Sequence, residues 1–342
     1  MIKNKKIKIH IKNNHGQPGT FPCDLEGEKN FTITHEHFEK ALENEPKIKE
    51  QIEIFIDWDE NNFNSSMLDS EILLTYDFPI TNLKKIAPNL KWIHCTAAGV
   101  EHLSPFNWKS DELILTNSSG VHAKKAGEYG LMSVLMLQNH MPKMITNQKN
   151  KEFISLFSNP IAGKNIVLVG TGSLGSSMAK LVEPLGANII GVNKRGKSVE
   201  GCSKIITIDK IDTVLPEADI LYLALPETLE TKNLIDKKKL DLLKPTCGIV
   251  NIGRQSALDY DVLCEKLNKQ EIAGAILDVF TTEPVESNSK LWHTPNLIIT
   301  PHVSSDDNGN YVKMTLDLFV KNLKLFLASK ELVNQIDKNL GY

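Results

Sequence analysis

The chain has 342 residues, of which 41% are hydrophobic and 24% charged, and its formal net charge is −3. This length suits two domains, and the composition is typical of a globular protein. The small net charge gives no reason to expect a nucleic acid or an anionic membrane as partner. The five cysteines never occur as C-x-x-C, which argues against a disulfide framework or a metal site and favours a reducing, cytoplasmic compartment.

The first 120 residues alternate short apolar runs with polar segments. The N-terminal stretch M-I-K-N-K-K-I-K-I-H-I suits a strand and lacks the apolar run of a secretory signal. The candidate strands are Ile7–Ile11, Phe31–Thr34, Ile52–Ile56, Glu71–Tyr76, Trp92–Cys95 and Leu113–Thr116, with helices near 35–44 and 81–87. We therefore expect a small α/β domain in this part of the chain.

In the rest of the chain, candidate strands and helices alternate more clearly. A long helix is expected around Lys124–Met141, and its most apolar part, Tyr129–Leu137, is too short to span a bilayer. Apolar runs typical of strands buried on both faces follow at 165–170, 188–193, 220–225, 248–253, 275–280 and 297–301. The candidate helices are Leu174–Leu185, Thr231–Leu243, Ala257–Gln270 and Tyr311–Leu327.

Alternating strands and helices predict parallel sheets. The expected fold class is therefore α/β, with a Rossmann-type doubly wound parallel sheet, a smaller flavodoxin-like α/β domain and a cleft between them. We expect residues 1–118 and 305–342 to form the substrate domain and residues 119–304 to form the dinucleotide-binding domain.

A glycine loop follows the first strand of the larger domain. V-L-V-G-T-G-S-L-G contains G-x-G-x-x-G as Gly170, Gly172 and Gly175, between a strand and a helix. Gly170 permits a tight turn, Gly172 lets the backbone approach a pyrophosphate, and Gly175 lets the helix pack closely on the sheet. The N-terminus of the helix favours phosphate groups. These features predict a dinucleotide site, although an ordinary glycine-rich turn would have the same spacing.

The next strand ends without the acidic residue that is usual in an NAD site. Asn193 stands there, followed by Lys194 and Arg195. A carboxylate would repel a 2′-phosphate, whereas Asn193 does not, and the two cations can pair with one. Lys197 is a further candidate. We therefore expect NADPH to be favoured, while a solvated basic turn on an NAD enzyme is the alternative.

Three polar residues come directly after three later strands. Arg254 follows G-I-V-N-I-G, Glu283 lies just after A-I-L-D-V-F, and His302 follows L-I-I-T-P. Carboxyl ends of parallel strands share one edge, so these side chains are expected beside the cofactor. Arg254 can hold the carboxylate of a 2-keto acid, His302 can donate a proton, and Glu283 can orient His302.

Each of these residues also has a structural interpretation. Glu283 could be an exposed turn residue before Pro284, Arg254 could pair with Asp259, and His302 could cap the following helix. It is the shared position of the three residues that favours catalysis.

Several motifs resemble those of the D-isomer-specific 2-hydroxyacid dehydrogenases, most of all the glyoxylate/hydroxypyruvate reductase branch. They are G-T-G-S-L-G, L-A-L-P-E-T-L-E-T-K-N-L-I, L-L-K-P-T-C-G-I-V-N-I-G-R, L-D-V-F-T-T-E-P, L-W-H-T-P-N-L-I-I-T-P-H and A-A-G-V-E-H-L, and they cover roughly residues 70–335. The resemblance implies reduction of a small 2-keto acid by NADPH, with Arg254, Glu283 and His302 as the catalytic residues.

The resemblance also implies further contacts. Asp278 would face the nicotinamide carboxamide, and the turn Ala98, Gly99 and Val100 would offer N–H groups to the substrate carboxylate. Tyr76 could line the substrate pocket. The expected cofactor contacts are Gly170, Gly172, Ser173, Leu174, Gly175, Asn193, Lys194, Arg195, Leu225, Pro226, Thr231, Ile252, Gly253, Asp278 and Ser304. By analogy with the family, a homodimer formed through the cofactor domain is expected.

Some positions depart from the family pattern and leave alternatives open. Gln255 stands where the family often has Gly, V-S-S follows His302, and the first 70 residues match poorly. An NAD-linked dehydrogenase for phosphoglycerate or lactate is the main alternative, although phosphoglycerate would need more basic residues. A nucleotide-sensing protein of the corepressor type is a further alternative, which the complete catalytic trio disfavours.

Overall fold

The computed structural model describes residues 6–18 and 20–338 and divides the chain into two compact units. One contains the described residues up to Val121 and those from Asp307 onward, and the other is His122–Asp306. Residues 1–5, 19 and 339–342 of the expected substrate domain lie outside the described residues. Among the described helices, none is long and apolar enough to cross a membrane.

Strands and α-helices alternate along much of both units. The strands are β1 Ile7–Asn13, β2 Ile52–Trp58, β3 Ile72–Thr75, β4 Trp92–Cys95, β5 Ile114–Thr116, β6 Asn165–Val169, β7 Asn188–Asn193, β8 Lys204–Thr207, β9 Ile220–Leu223, β10 Gly248–Asn251, β11 Gly274–Leu277 and β12 Leu297–Ile299. The α-helices are α1 Leu25–Phe31, α2 His35–Ala41, α3 Pro46–Lys49, α4 Phe63–Ser66, α5 Leu83–Ile86, α6 Ala123–Gln138, α7 Met141–Lys149, α8 Ser173–Val182, α9 Lys237–Leu240, α10 Tyr260–Asn268 and α11 Tyr311–Leu327.

Each unit is built on one parallel sheet. In the first unit the strand order is β2-β1-β3-β4-β5, which is the flavodoxin-like order. In the second it is β12-β11-β10-β9-β6-β7-β8, in which the order reverses between β6 and β9 as in a Rossmann fold. The expected α/β class, with one Rossmann-type and one flavodoxin-like parallel sheet, is thereby confirmed.

Hydrophobic clusters cover both faces of each sheet. On β6, Val167 and Val169 belong to one buried cluster while Ile166 and Leu168 belong to another, so successive residues face opposite cores. In the first unit, Trp92 is fully buried and stacks on Phe319 of α11 with ring centroids 4.8 Å apart. Because both faces of central strands such as β6 are buried, their sequences are continuously apolar.

Two expected elements are wrong, because their backbone groups hydrogen-bond to other parts of the chain: Ile33 to the side chain of Asn13, and Asn233 and Ile235 to the carbonyls of Ser256 and Ala257. Phe31–Thr34 is not a strand, since α1 ends at Phe31 and the side chain of Asn13 hydrogen-bonds both backbone groups of Ile33. The expected helix Thr231–Leu243 is reduced to one turn, α9, which the side chain of Asp236 caps. The edge strand β8, whose residues are only partly buried or exposed, has no clear signal in the sequence.

The glycine loop is a place where the backbone itself is constrained. Gly170 has φ +96°, and a Cβ there would lie 2.4 Å from the carbonyl oxygen of Ala224. A Cβ on Gly175 would lie 2.1 Å from the carbonyl oxygen of Gly170, whereas one on Gly172 would meet nothing within 4 Å. The first and third glycines therefore fix the turn, and the second leaves space above it.

Gly175→Ala should destabilise the fold, because its methyl group would overlap backbone that cannot move aside. We expect a loss of roughly 1–3 kcal/mol in the free energy of unfolding, the usual range for overpacking. Gly172→Ala is the matched control and should change stability by less than about 1 kcal/mol. Urea titration followed by circular dichroism measures both, and equal midpoints for the two variants would contradict this account.

Candidate active site

The glycine loop lies at the carboxyl edge of the seven-stranded sheet, directly after β6. It leads directly into α8, and Gly172 is the residue that precedes the first turn. The first N–H groups of a helix have no partner within the helix, and they favour an anion. With the open space above Gly172, this turn fits the pyrophosphate of a dinucleotide.

Asn193 ends β7 and organises the loop that follows. Its Nδ2 donates to Thr171 Oγ1 and to the carbonyl of Lys197, both at 3.0 Å, and its Oδ1 accepts from the N–H of Arg195 at 3.1 Å. The amide thus ties the glycine loop to the basic loop 194–197. It occupies the strand end at which an NAD site usually has a carboxylate.

The two cations after Asn193 differ in their surroundings. Lys194 Nζ lies 2.7 Å from Glu230 Oε1, in an ion pair whose side chains are 49% and 64% exposed. The side chain of Arg195 is exposed and makes no ion pair among the described residues. The sequence did not single out Glu230, because it lies in a polar loop with no periodic signal.

The loop after β9 is held by its own threonines. Thr231 Oγ1 donates to the carbonyl of Pro226 at 2.7 Å and accepts from the N–H of Thr228 at 2.9 Å. Leu225, which begins the loop, is buried. These contacts hold together the loop in which the expected cofactor contacts Leu225, Pro226 and Thr231 lie.

Arg254 is placed by a buried asparagine that the sequence did not single out. Asn251, fully buried at the end of β10, accepts from the N–H of Gly253 at 3.0 Å and donates to the carbonyl of Arg254 at 3.1 Å. The Arg254 side chain is partly exposed, and Nη1 donates to the carbonyl of Gly253 at 2.9 Å. Ile252 and Gly253 are buried in the same turn.

Asp278 joins the ends of β11 and β12. Its buried carboxylate accepts from Thr300 Oγ1 at 2.6 Å and from the N–H groups of Val303 at 3.0 Å and Ser304 at 2.9 Å. Tyr129 OH lies 2.7 Å from Thr300 Oγ1, and burial raises the pKa of Tyr129 to about 12. Asp278 thus holds the loop that carries His302.

Glu283 and His302 form a direct pair. His302 Nδ1 donates to Glu283 Oε2 at 2.9 Å, and Glu283 Oε1 accepts from the N–H of Phe280 at 2.8 Å. Burial lowers the pKa of His302, but the hydrogen bond and charge of Glu283 outweigh burial and leave that pKa above its usual value. Burial likewise raises the pKa of Glu283, yet His302 brings it below its usual value. The second ring nitrogen of His302, Nε2, takes no part in the contact with Glu283.

Two of the structural interpretations of the trio involve the residues just before α10 and α11. Asp259 accepts from the N–H of Val262 as the cap of α10, and the cap of α11 is Asn310, not His302. Gln255 joins the Arg254 turn to the Glu283 loop, because its Oε1 accepts from the N–H of Thr281 at 2.6 Å.

One further carboxyl group near His302 has no signal in the sequence pattern. Burial raises the pKa of Asp306 to about 6, and the charge of His302 lowers it again in part. Only its position four residues after His302 could have drawn attention to it.

The described residues contain no group of three or more His, Cys, Asp and Glu side chains that could hold a metal ion.

The expected substrate residues of the first unit lie at the carboxyl edge of its own sheet. The N–H groups of Ala98, Gly99 and Val100 donate no hydrogen bond to another described residue. The carbonyl of Ala98 accepts from Asn117 Nδ2 at 2.5 Å. Tyr76 stacks on His102 with ring centroids 4.2 Å apart. The turn Ala98–Val100 thus presents backbone donors, as a carboxylate-binding turn must.

The larger unit contains a segment that matches a known protein family. The family model described as D-isomer specific 2-hydroxyacid dehydrogenase, NAD binding domain, matches residues 131–304, just over half of the chain. A glyoxylate reductase from Thermofilum pendens is 30% identical over 226 residues, which cover 64% of this chain and 67% of that relative.

Two solved structures share the fold of the whole chain. A D-isomer specific 2-hydroxyacid dehydrogenase from Xanthobacter autotrophicus Py2, in complex with NADPH and MES, has a TM-score of 0.80 at 21% identity and covers 99% of this chain and 100% of its own. An NADPH-dependent glyoxylate/hydroxypyruvate reductase from Sinorhizobium meliloti, in complex with NADP and sulfate, has a TM-score of 0.79 at 22% identity and covers 98% and 100%. With its matched family domain and its two parallel sheets, the chain belongs to the D-isomer-specific 2-hydroxyacid dehydrogenase family of NAD(P)-dependent oxidoreductases.

Proposed function

We propose that the protein reduces a small 2-keto acid, such as glyoxylate or hydroxypyruvate, to the D-2-hydroxy acid with NADPH. The observation that carries this proposal is the 2.9 Å contact between His302 and Glu283 at the sheet edge that also presents Arg254. The glyoxylate reductase relative and the NADP-bound structural neighbours support the choice of substrate and cofactor.

Each member of the trio has one role. The Arg254 guanidinium binds the substrate carboxylate and polarises the neighbouring carbonyl through charge-assisted hydrogen bonds. As negative charge grows on the carbonyl oxygen, His302 donates a proton from Nε2. Glu283 holds the ring through Nδ1 and stabilises its protonated form, which is why the pKa of His302 lies above its usual value.

The cofactor contacts follow the same edge. When bound, the nicotinamide supplies the hydride, and the protein supplies position and charge. Arg195 and Lys194 bind the 2′-phosphate, while Asp278 faces the carboxamide. The remaining proposed contacts are Gly170, Gly172, Ser173, Leu174, Gly175, Asn193, Leu225, Pro226, Thr231, Ile252, Gly253 and Ser304.

The first unit acts as the substrate domain, with the turn Ala98–Val100 offering N–H groups to the substrate carboxylate and Tyr76 lining the pocket. The second acts as the dinucleotide-binding domain. The protein works as a homodimer through this domain, which the exposed side chains of Phe153 (105%) and Phe157 (90%) support. Five free cysteines are consistent with a cytoplasmic location.

An NAD-linked D-2-hydroxyacid dehydrogenase is the second candidate. The ion pair between Lys194 and Glu230 favours it, because this contact occupies one of the two cations proposed for the 2′-phosphate. Steady-state kinetics on a panel of 2-keto acids with both NADPH and NADH separates the candidates. No turnover with any of these acids, despite cofactor binding, would favour a nucleotide-sensing protein.

His302→Ala should lower kcat by roughly 10²–10⁴, the usual range for loss of a general acid, and leave NADPH binding nearly intact. His293→Ala is the matched control, because this histidine is exposed and lies outside the site. The rate is followed by the absorbance of the reduced nicotinamide. An unchanged kcat at saturating substrate, where chemistry limits turnover, would remove His302 from this role.

The pH dependence should report the Glu283–His302 pair. Reduction needs protonated His302, so kcat/KM for the keto acid should fall as the pH rises through an apparent pKa above about 6.5. Glu283→Gln removes the charge that raises this pKa, and the midpoint should move to lower pH. Initial rates measured across the pH range test this prediction, and an identical midpoint in the variant would refute it.

Arg195→Ala should weaken NADPH binding about ten- to hundredfold and leave NADH nearly unchanged, because hydrogen bonds to charged groups contribute roughly 1.5–3 kcal/mol. Lys197→Ala is the control, with a smaller expected effect. Fluorescence titration gives the Kd for both cofactors. Equal weakening of NADPH and NADH would show that the 2′-phosphate assignment is wrong.

A further inference from the structure

Two segments of the second unit lie against the basic loop 194–197 and the end of β7 that precedes it. The glycine loop contacts the end of β7, because Thr171 Oγ1 accepts from Asn193 Nδ2 and the N–H of Gly170 donates to the carbonyl of Val192 at 3.0 Å. The loop 226–231, which follows β9, reaches the basic loop through the contact between Glu230 and Lys194. Any group that binds Lys194 must therefore share this space with the Glu230 carboxylate.

The loop 226–231 presents its two acids to different partners. Glu227 Oε2 accepts from Ser256 Oγ at 2.7 Å, next to the Arg254 turn. Glu230 instead pairs with Lys194 at 2.7 Å. Because Thr228 and Thr231 tie the loop together, Glu230 is held near Lys194 by the loop backbone as well as by the ion pair.

The ion pair is weak enough to be displaced. Both side chains are about half exposed or more, and exposed pairs contribute little because water and salt screen them. A phosphate carries more than one negative charge at neutral pH and offers several acceptor oxygens. It can therefore take Lys194 from Glu230, and it must do so against the repulsion of that carboxylate.

We propose that Glu230 is a specificity-determining residue for the cofactor: it competes with the 2′-phosphate of NADPH for Lys194 and so narrows the preference for NADPH over NADH. This inference rests on the proposed 2′-phosphate site at Lys194 and Arg195. Glu230 acts on the cofactor only through Lys194 and through its own charge, so it is a positioning residue and not a catalytic one.

Glu230→Gln should tighten NADPH binding about threefold to tenfold, the order expected for removing one charge several ångströms from a phosphate. NADH binding should stay within about twofold. Glu227→Gln removes the same charge three residues away and is the matched control, with little expected effect on either cofactor. Both Kd values are measured by nicotinamide fluorescence and by calorimetry on the full chain.

A double-mutant cycle with Lys194→Met tests whether Glu230 acts through Lys194. In the Lys194→Met background, Glu230→Gln should tighten NADPH binding less, because the cation for which Glu230 competes is gone. An unchanged NADPH Kd in Glu230→Gln, or an equal gain in Glu227→Gln, would overturn the inference. Weaker NADH binding in Glu230→Gln would also overturn it and would identify Glu230 as a ribose ligand.

Arg195→Ala distinguishes failure of this inference from failure of the proposed cofactor. If Arg195→Ala weakens NADPH alone while Glu230→Gln has no effect, only the role of Glu230 is wrong. If wild-type protein binds both cofactors equally and Arg195→Ala weakens both alike, no 2′-phosphate site exists, and both proposals are wrong.

Discussion

The buried carboxylate of Asp278 is the contact on which the arrangement of the sheet edge depends. A buried charge without partners is strongly unfavourable, and three donors satisfy this one: Thr300, Val303 and Ser304. These contacts join the ends of β11 and β12 and hold the backbone around His302, whose φ of 53° lies in the left-handed region. Few non-glycine residues adopt this conformation, so the surrounding loop must be firmly held.

Elsewhere along this edge, too, polar groups hold the backbone in place while the side chains of Arg254 and His302 stay partly exposed. Asn251 is fully buried and holds the turn of Arg254, while the Arg254 side chain remains partly exposed. Glu283 is fixed through the backbone N–H of Phe280, and His302 is 44% exposed. Under the proposed roles, these side chains stay reachable by a ligand, and polar groups beneath them set their orientation, which is the preorganisation that catalysis requires.

The sequence predicts the parts that depend on local pattern. Strands such as β7 and β10 are continuous apolar runs, and Arg254, Glu283 and His302 stand at strand ends, where parallel topology brings them to one edge. The pattern fails where a distant side chain replaces a backbone partner, as Asn13 does for Ile33. Asn251, Glu230 and Asp306 cannot be identified from the sequence for a related reason: their partners are set by tertiary contacts, which no local spacing encodes.

The glycine turn and the basic loop beside it differ in how freely they can change during evolution. Gly170 and Gly175 lie against backbone atoms, so a side chain at either position would destabilise the fold and selection for folding would oppose it. Lys194, Arg195 and Glu230 are exposed, and substitutions at such positions usually change stability little. Under the proposed assignment, a descendant could change its preferred dinucleotide by single surface substitutions, while the turn that holds the dinucleotide stays invariant.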